Sequence, residues 1–354
     1  MDNDQSGVSI PAVRRVLAPP YRYKYTVSNK GGIMPGRAIL ILAMIWSATA
    51  GAAEVVDSAG RIVQVPDRVV HVAPAGPPAS VLLEALAPDL MIGWPSPLPD
   101  AARAILSPEA AKLPQIPRLT GREDVAEKIK ALHPDLILDY GTVSPRYAEL
   151  AQTTQERTGV PTLLLDGALD KIPETFRRLG IILHREDRAE TLARFAEALL
   201  SLPASTAHPR VLYARGADGL TVAAPGTDVT AVFTRLGWQV LAPDGEGTFR
   251  TSSIEAIRGL DPDVLIFSDP AMHDTLVHAD AWKTVRAVRD GHALVSPAVP
   301  FGWVEEPPSI NRLIGLAWLE GRDPVTLAAL SNAIVYGHVL TPAERDGVLS
   351  GLQP

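Results

Sequence analysis

Short apolar runs alternate along the chain with stretches in which apolar residues fall three or four positions apart. Residues 69–72 and 136–138 have the length and composition of buried strands. Residues 79–86 and 125–132 instead have the spacing that places apolar side chains on one face of a helix. Strands that alternate with helices indicate a largely parallel sheet with helices packed on it. The pattern therefore predicts an α/β fold.

A thirteen-residue phrase occurs twice, 128 positions apart, at residues 127–139 and 255–267. Glu, Ile, a basic residue, Leu, Pro and Asp recur in register, and each copy ends in an apolar run. Each copy predicts a helix that ends at a Pro-Asp turn and leads into a buried strand. The repeat predicts two similar α/β lobes, and two facing lobes imply a cleft that holds a ligand.

Residues 171–203 carry no strand signal, and their apolar residues fall on one helical stripe. Residues 189–202 alone would extend about 21 Å at 1.5 Å per residue. We interpret the segment as a single long rigid α-helix between the lobes, with Gly180 and residues 184–187 as a point where it could break. The predicted divisions are an N-terminal lobe at 54–170, the connecting helix at 171–203, a C-terminal lobe at 204–304 and C-terminal helices at 305–354.

The N-terminus has the features of an export signal. Arg37 precedes an apolar run at 38–46 that is short for a membrane span, and Ala50-Gly51-Ala52 fits the A-x-A cleavage pattern. We predict a signal peptide at 34–52, cleaved near Ala52, and a non-native or disordered extension at 1–33, with Met34 as the true start. The alternative is an uncleaved anchor. Cleavage would release a soluble periplasmic protein.

Composition narrows the function. The 354 residues allow two domains of ordinary size, and 46% of them are apolar. The net charge is −7, and it becomes −11 without residues 1–52, which carry six Lys/Arg and two Asp/Glu. An acidic surface argues against nucleic acid as a partner. The absence of cysteine excludes disulfides, thiolate metal sites and a lipid anchor on Cys.

The opening segment at 57–70, with Asp57, Gly60-Arg61 and Pro66, resembles the substrate-binding proteins of ABC importers for ferric siderophores, haem and cobalamin. The repeated Glu-x-Ile-x-x-Leu-x-Pro-Asp phrase is similar to that family's signature, and 303–319 looks like the end of its metal-chelate or oxyanion subgroup. The resemblance implies a class III fold, with two Rossmann-like lobes of mostly parallel sheet joined by a rigid helix. It also implies a monomer that delivers a small-molecule metal complex, such as an iron chelate, to an ABC permease in the inner membrane.

By the same resemblance, one Glu on each lobe docks on the permease, and the matching positions are Glu127 and Glu255. A carboxylate near a helix start is stabilised by the helix dipole, and two separated charges fix orientation. The alternative for each is an ordinary helical Glu without a partner.

An arginine lies five residues before each of these glutamates, Arg122 in the first lobe and Arg250 in the second. Two guanidinium groups that enter a cleft from opposite sides would bind an anion through paired hydrogen bonds. An anionic ferric siderophore, haem propionates or a molybdate-like oxyanion would fit. Alternatively, both arginines are solvated surface residues. Where family members carry an aromatic ligand contact, this chain has Phe249 in the second lobe but Gly121 in the first.

Further ligand candidates come from strand ends, because ligands of open α/β sheets bind at the carboxyl edge. They are Pro77, Trp94, Tyr140, Arg215 and Trp303. For any one aromatic residue the alternative is core packing. Among the eight histidines only His273, near Asp269 and Asp274, is a weak candidate for a metal ligand.

The sequence has no G-x-S-x-G, P-loop or G-x-G-x-x-G motif after a strand. We therefore expect a binding protein without catalytic residues or intrinsic cofactor, which captures an anionic iron chelate, siderophore-like or haem-like. The alternatives are cobalamin, a molybdate or tungstate oxyanion, or an exported sensor or interaction protein that takes no part in transport.

Overall fold

The computed structural model describes residues 51–203, 206–350 and 352. The predictions for residues 1–33, and for all of the signal peptide except residues 51–52, therefore lie outside the described residues. The described residues belong to one compact unit. Within it, every helix is too short or too polar to cross a membrane.

The strands are β1 (Ala52–Val56), β2 (Ile62–Pro66), β3 (Val72–Pro74), β4 (Leu136–Gly141), β5 (Thr162–Asp166), β6 (Arg210–Arg215), β7 (Thr221–Ala223), β8 (Gln239–Val240), β9 (Phe249–Thr251), β10 (Val264–Phe267) and β11 (Ala293–Val295). The helices are α1 (Pro77–Leu86), α2 (Asp100–Arg103), α3 (Pro108–Ala111), α4 (Glu123–Lys130), α5 (Pro145–Thr158), α6 (Ile172–Leu183), α7 (Glu186–Leu200), α8 (Ala231–Arg235), α9 (Ile254–Leu260), α10 (Pro270–Leu276), α11 (Arg286–Arg289), α12 (Arg312–Leu319), α13 (Pro324–Val335) and α14 (Pro342–Val348).

Two separate sheets form the two predicted lobes. In the N-terminal lobe, β3, β4 and β5 pair in parallel in that order. In the C-terminal lobe the order is β11-β10-β6-β7-β9, with β8 also paired to β6. Here β6, β8, β10 and β11 are parallel, whereas β7 pairs antiparallel with both β6 and β9 and makes this sheet mixed. The predicted α/β class with two mostly parallel sheets is confirmed.

The first copy of the repeat connects two neighbouring parallel strands through Asp135. His133, just after α4, adopts a left-handed backbone with φ 50°. This turn presents Asp135, whose Oδ2 accepts hydrogen bonds of 2.8 Å from the backbone N–H of both Val70 and His71. The Asp135 N–H donates back to the His71 carbonyl at 2.8 Å. The aspartate thus joins the segment before β3 to the start of β4.

The second copy repeats the arrangement in the other lobe. Asp261 occupies the position of His133 and is also left-handed, with φ 47°. Asp263 Oδ2 accepts from the Arg210 N–H at 2.9 Å, and the Asp263 N–H donates to the Arg210 carbonyl at 2.8 Å. The Pro-Asp phrase recurs because each lobe joins two parallel strands at their amino ends in the same way.

The prediction of one continuous connecting helix is wrong. The segment forms two helices, α6 and α7, separated where His184 takes a left-handed backbone with φ 54°. The helices pack against each other, and Gly180 permits the approach, because a Cβ there would lie 2.3 Å from the Ala189 Cβ. Arg177 of α6 forms ion pairs with Glu190 at 2.7 Å and Glu197 at 2.5 Å on α7. Only α7 leads into the second lobe.

The C-terminal helices return to the first lobe. Leu313 of α12, Leu327 and Val335 of α13, and Val348 of α14 are buried in the same core as α6 and α7. Residues 90–93, between α1 and α2, belong to no strand. They contribute a single parallel bridge between Met91 and Val72, after a 3₁₀ turn at Pro88–Leu90.

Candidate ligand-binding cleft

The carboxyl edges of the two sheets face each other. Thr142, which follows β4, donates a hydrogen bond to the carboxylate of Asp228 in the second lobe. Ser309 Oγ donates to the carbonyl of Pro78, in the first turn of α1, at 2.8 Å. The first contact joins the two lobes at a seam beside the carboxyl end of β4, the edge at which open α/β sheets bind ligands.

Arg312 forms the floor of this seam. It is 1% exposed, and its Nε donates to the Ser309 carbonyl at 3.0 Å. Its Nη1 donates to the Asp228 carbonyl at 3.0 Å, and its Nη2 donates to the Gly167 carbonyl. One buried guanidinium therefore donates a hydrogen bond to a backbone carbonyl of each lobe and links the two lobes. The three acceptors offset the cost of burying a charge that cannot be neutralised by deprotonation.

Tyr140, a predicted ligand contact, lies within this floor. It is buried in the core, and its hydroxyl has no hydrogen-bond partner among the described residues. Burial raises the pKa of Tyr140 to about 12, and the nearby Arg312 guanidinium opposes that rise. The hydroxyl is therefore a neutral group buried beside the Arg312 guanidinium, below the seam.

Arg215 lies at the carboxyl end of β6, on the C-terminal side of the seam. Its Nε is 3.1 Å from Glu305 Oε1 and 2.8 Å from Glu306 Oε1, and its guanidinium carbon lies 4.6 Å from the centre of the Phe249 ring. The side chain is 33% exposed, and its terminal amino groups donate no hydrogen bond within the described chain. The guanidinium is held from one side and offers two donors on the other, the arrangement that binds carboxylates and oxyanions bidentately.

The two glutamates beside Arg215 differ in exposure. Glu305 is buried and Glu306 is partly exposed. Burial raises the pKa of Glu305 to about 7, with Glu306 adding to the rise and Arg215 opposing it. Burial likewise raises the pKa of Glu306. Glu306 also has a left-handed backbone with φ 71°, which is uncommon outside glycine and is typical of positions fixed by surrounding structure.

Arg118 faces the seam region from the N-terminal lobe, and the sequence analysis missed it. Its Nε lies 3.9 Å from where a Cβ on Gly76 would stand, and the Leu119 N–H donates to the Ala75 carbonyl at 2.9 Å. Arg118 therefore lies beside the loop after β3, where it also lowers the pKa of Asp139 against the rise that burial causes. The Arg118 side chain is exposed and hydrogen-bonds to no residue that the structure describes.

The predicted pair Arg122 and Arg250 is placed differently. Arg122 is largely exposed, pairs with Asp124 at 2.9 Å and lines a surface depression together with Glu127. Arg250 donates to the Pro243 carbonyl at 2.7 Å and supports that loop. Arg250 also follows Phe249 directly on β9, so the two side chains point to opposite faces of the sheet. Because Phe249 contacts Arg215, the structure groups Phe249 with Arg215 rather than with Arg250.

Three other predicted contacts have mainly structural surroundings. Trp94 is buried, its ring centre lies 5.9 Å from that of the tilted Phe301 ring, and its Nε1–H donates to the Ala110 carbonyl at 2.8 Å. Trp303 is buried with its ring centre 6.3 Å from that of Trp318. Pro77 is the first residue of α1 and is partly exposed at the N-terminal side of the seam. Ligand contact at these positions stays a prediction.

His273, the weak metal candidate, is buried inside the C-terminal lobe. Its Nδ1 lies 3.2 Å from Asp274 Oδ1 and its Nε2 lies 3.1 Å from the Ala293 carbonyl. Both ring nitrogens thus have partners. Over the described ranges, no group of three or more His, Asp or Glu residues could hold a metal ion.

The proposed docking glutamates are both exposed. Glu255 lies in the first turn of α9, as predicted, and receives the stabilisation of the helix dipole. Glu127 is the fifth residue of α4, whose first turn carries Glu123 and Asp124 instead. The expectation that both glutamates lie at a helix start is therefore wrong for Glu127.

The fold and seam define a two-lobed binding protein. A sequence profile described as periplasmic binding protein matches residues 84–299. The chain belongs to this family of solute-binding proteins, and the resemblance to the class III members that serve ABC importers is confirmed. No curated protein sequence matches the chain.

Solved structures share the fold at low sequence identity. An ABC transporter solute-binding protein from Sulfurospirillum deleyianum is 22% identical, with a TM-score of 0.74 over 84% of this chain and 99% of that one. The molybdate periplasmic binding protein MolA of Haemophilus influenzae, bound to molybdate, is 14% identical, with a TM-score of 0.61 over 82% and 99%. The periplasmic heme-binding protein RhuT of Roseiflexus sp. is 22% identical, with a TM-score of 0.54 over 71% and 97%.

Proposed function

We propose that the protein captures an anionic small molecule in the seam between its lobes and delivers it to an ABC permease in the inner membrane. The observation that carries this proposal is Arg215, whose two terminal amino groups stay free while Glu305, Glu306 and Phe249 hold the rest of the guanidinium. Arg118 would supply a second cationic contact from the opposite lobe. The protein would act as a monomer without intrinsic cofactor.

An anionic iron chelate, siderophore-like or haem-like, is the primary candidate ligand. Such a chelate presents carboxylate or other oxygen groups that an arginine binds bidentately. Phe249 and the partly exposed Pro77 would contact the body of the ligand, and the buried Tyr140 would pack below them. Because both metal coordination and charge belong to the chelate, the protein needs no metal site of its own.

A small oxyanion is the second candidate, and the contact between Thr142 and Asp228 favours it. This hydrogen bond joins the lobes directly and narrows the seam at one end. Gly121 also stands where an aromatic ligand contact was expected in the first lobe. A narrow seam without paired aromatics suits a molybdate-like tetrahedral anion better than a large flat macrocycle.

Calorimetric titration with four probes tests the proposal: ferric citrate, haemin, sodium molybdate and a cationic ferric hydroxamate chelate. We expect one of the three anionic probes to bind with micromolar or tighter affinity and the cationic chelate to bind at least about tenfold more weakly. Preferential binding of the cationic chelate, or of no probe at all, would contradict the proposed ligand class.

Delivery to a permease would use Glu127 and Glu255, which are exposed on different lobes. Two separated carboxylates that pair with basic groups on a permease would set orientation and speed the encounter. Export to the periplasm would follow cleavage of the predicted signal peptide near Ala52.

A further inference from the structure

Arg215 is surrounded by more negative charge than it can neutralise. Glu305 and Glu306 both contact its Nε, at 3.1 Å and 2.8 Å. When both carboxylates are ionised, this cluster carries a net charge of −1. An anion that approaches the free amino groups of Arg215 would then be repelled by the excess carboxylate charge.

Protonation of one glutamate would remove that repulsion. Glu305 is the more buried of the two, so it loses more hydration as an anion. The groups that face it are Arg215, Glu306 and the Tyr213 hydroxyl, which lies 3.5 Å from Glu305 Oε1. Glu306 is instead faced by Arg215, Ser268 and Asp269. A proton on Glu305 is therefore the less costly way to discharge the cluster.

We propose that Glu305 takes up one proton from solvent when an anion binds to Arg215, so that Glu305 both positions Arg215 and sets the pH range of anion binding. This inference rests on the proposed function, because it requires an anion at Arg215. One O–H bond forms on the Glu305 carboxylate and one breaks in a solvent hydronium ion or buffer acid, while the anion pairs with the guanidinium without a covalent bond.

The affinity for the anion should change with pH in one definite direction. Burial raises the pKa of Glu305 to about 7 in the free protein, and a bound anion beside it would raise that pKa further. Binding is then strongest below neutral pH and weakens as pH rises. If the anion binds only when Glu305 is protonated, affinity falls about tenfold between pH 6 and pH 8.

Calorimetric titration of the wild type and Glu305→Gln with sodium molybdate, ferric citrate and haemin, from pH 6 to pH 8, tests the inference on each of these probes that binds the wild type. The wild type should lose about tenfold in affinity over this range. The affinity of Glu305→Gln should change less than about twofold once the probe's own protonation is corrected for. Comparison of the binding enthalpy in two buffers that differ in ionisation enthalpy gives the number of protons taken up on binding. Because the probe chemistry is the same for both proteins, the difference between them reports Glu305.

Glu84→Gln is the matched control. Glu84 is also buried with its pKa raised to about 7, but it lies near the end of α1 and contacts Ser107. This variant should keep the pH dependence of the wild type. Equal pH dependence in the wild type and Glu305→Gln would overturn the inference while leaving the proposed function intact, whereas failure of all three anionic probes to bind would overturn both.

A ligand-free measurement gives an independent test. Carbon-13 NMR titration of the glutamate carboxyls, with the Glu305 signal assigned by its loss in Glu305→Gln, should show a titration near neutral pH. A Glu305 carboxyl that titrates at the ordinary glutamate value would overturn the inference even if anions bind.

Discussion

The guanidinium of Arg312 donates one hydrogen bond to the carbonyl of Gly167 in the first lobe and another, of 3.0 Å, to the carbonyl of Asp228 in the second. These two bonds converge on a single side chain at the base of the seam. The lobes therefore share a fixed floor, and ligand capture would involve movement above it rather than full separation.

Replacement of Arg312 should destabilise the fold. Arg312→Ala leaves the carbonyls of Ser309, Asp228 and Gly167 without their donor, so we expect a loss of about 3–5 kcal/mol in the free energy of unfolding. Urea denaturation at pH 7 measures it. Arg322→Ala, at an exposed arginine after α12, serves as the control and should stay within about 0.5 kcal/mol of the wild type. A loss below about 1 kcal/mol for Arg312→Ala would show that the hydrogen bonds of Arg312 contribute little to the stability of the fold.

Two glycines offer opposite outcomes for the same substitution. A Cβ on Gly167 would lie 2.7 Å from the Gly141 Cα, so Gly167→Ala must push apart two backbone segments at the carboxyl edge of the first sheet. We expect a loss of about 1–3 kcal/mol. A Cβ on Gly259 of α9 meets nothing within 4 Å, and Gly259→Ala should stabilise by about 0.4–1 kcal/mol. Thermal unfolding of both variants distinguishes them, and equal effects would be inconsistent with the close approach at Gly167.

The buried carboxyl of Glu84 should make stability depend on pH. Burial raises the pKa of Glu84 from 4.5 to about 7, so the folded state favours the protonated form. This stability is fully present below the unfolded value and is lost as pH rises through about 7. Glu84→Gln should remove part of the fall in unfolding free energy between pH 5 and pH 8, up to about 3 kcal/mol. In the control variant Glu109→Gln, at an exposed position of α3, the free energy of unfolding should fall with pH as it does in the wild type. If it falls as much in Glu84→Gln, the assignment of the pH dependence to Glu84 is wrong.

Charge reversal at the docking positions separates capture from delivery. Glu127→Lys with Glu255→Lys should abolish uptake of the ligand by cells that carry the cognate permease, because both carboxylates would become repulsive toward a basic surface. Affinity for the ligand in solution should remain within about twofold, since neither residue lies at the seam. Uptake at the wild-type rate by the double variant would remove these glutamates from docking.

Much of the fold follows from the repeat. Asp135 and Asp263 recur because each accepts backbone hydrogen bonds at the amino end of the neighbouring parallel strand, and a local sequence phrase records that requirement. The break between α6 and α7 could not be fixed in the same way. Two antiparallel helices bury one apolar stripe as well as a single straight helix does, and the deciding features are the left-handed turn at His184 and the contact of Gly180 with Ala189.

The site was harder to predict than the fold. Phe249 and Arg250 were both predicted as ligand contacts from their positions before Glu255. Adjacent residues of a strand point to opposite faces, so both cannot face the same ligand. Arg118 gave no sequence signal, because its position depends on the pairing of Leu119 with Ala75, residues far apart in the chain. The anchoring of Arg215 depends in turn on Glu305 and Glu306, which reach it from beyond β11.

Comparison of four single arginine variants tests the central claim most directly, with the best-binding anionic probe as ligand. Arg215→Ala and Arg118→Ala should each lower affinity by about 10–100-fold, the worth of a charged hydrogen bond, while Arg122→Ala and Arg250→Ala should change it by less than about threefold. Loss of affinity in Arg122→Ala and Arg250→Ala, with Arg118→Ala and Arg215→Ala binding like the wild type, would contradict a ligand held between the facing edges of the two sheets.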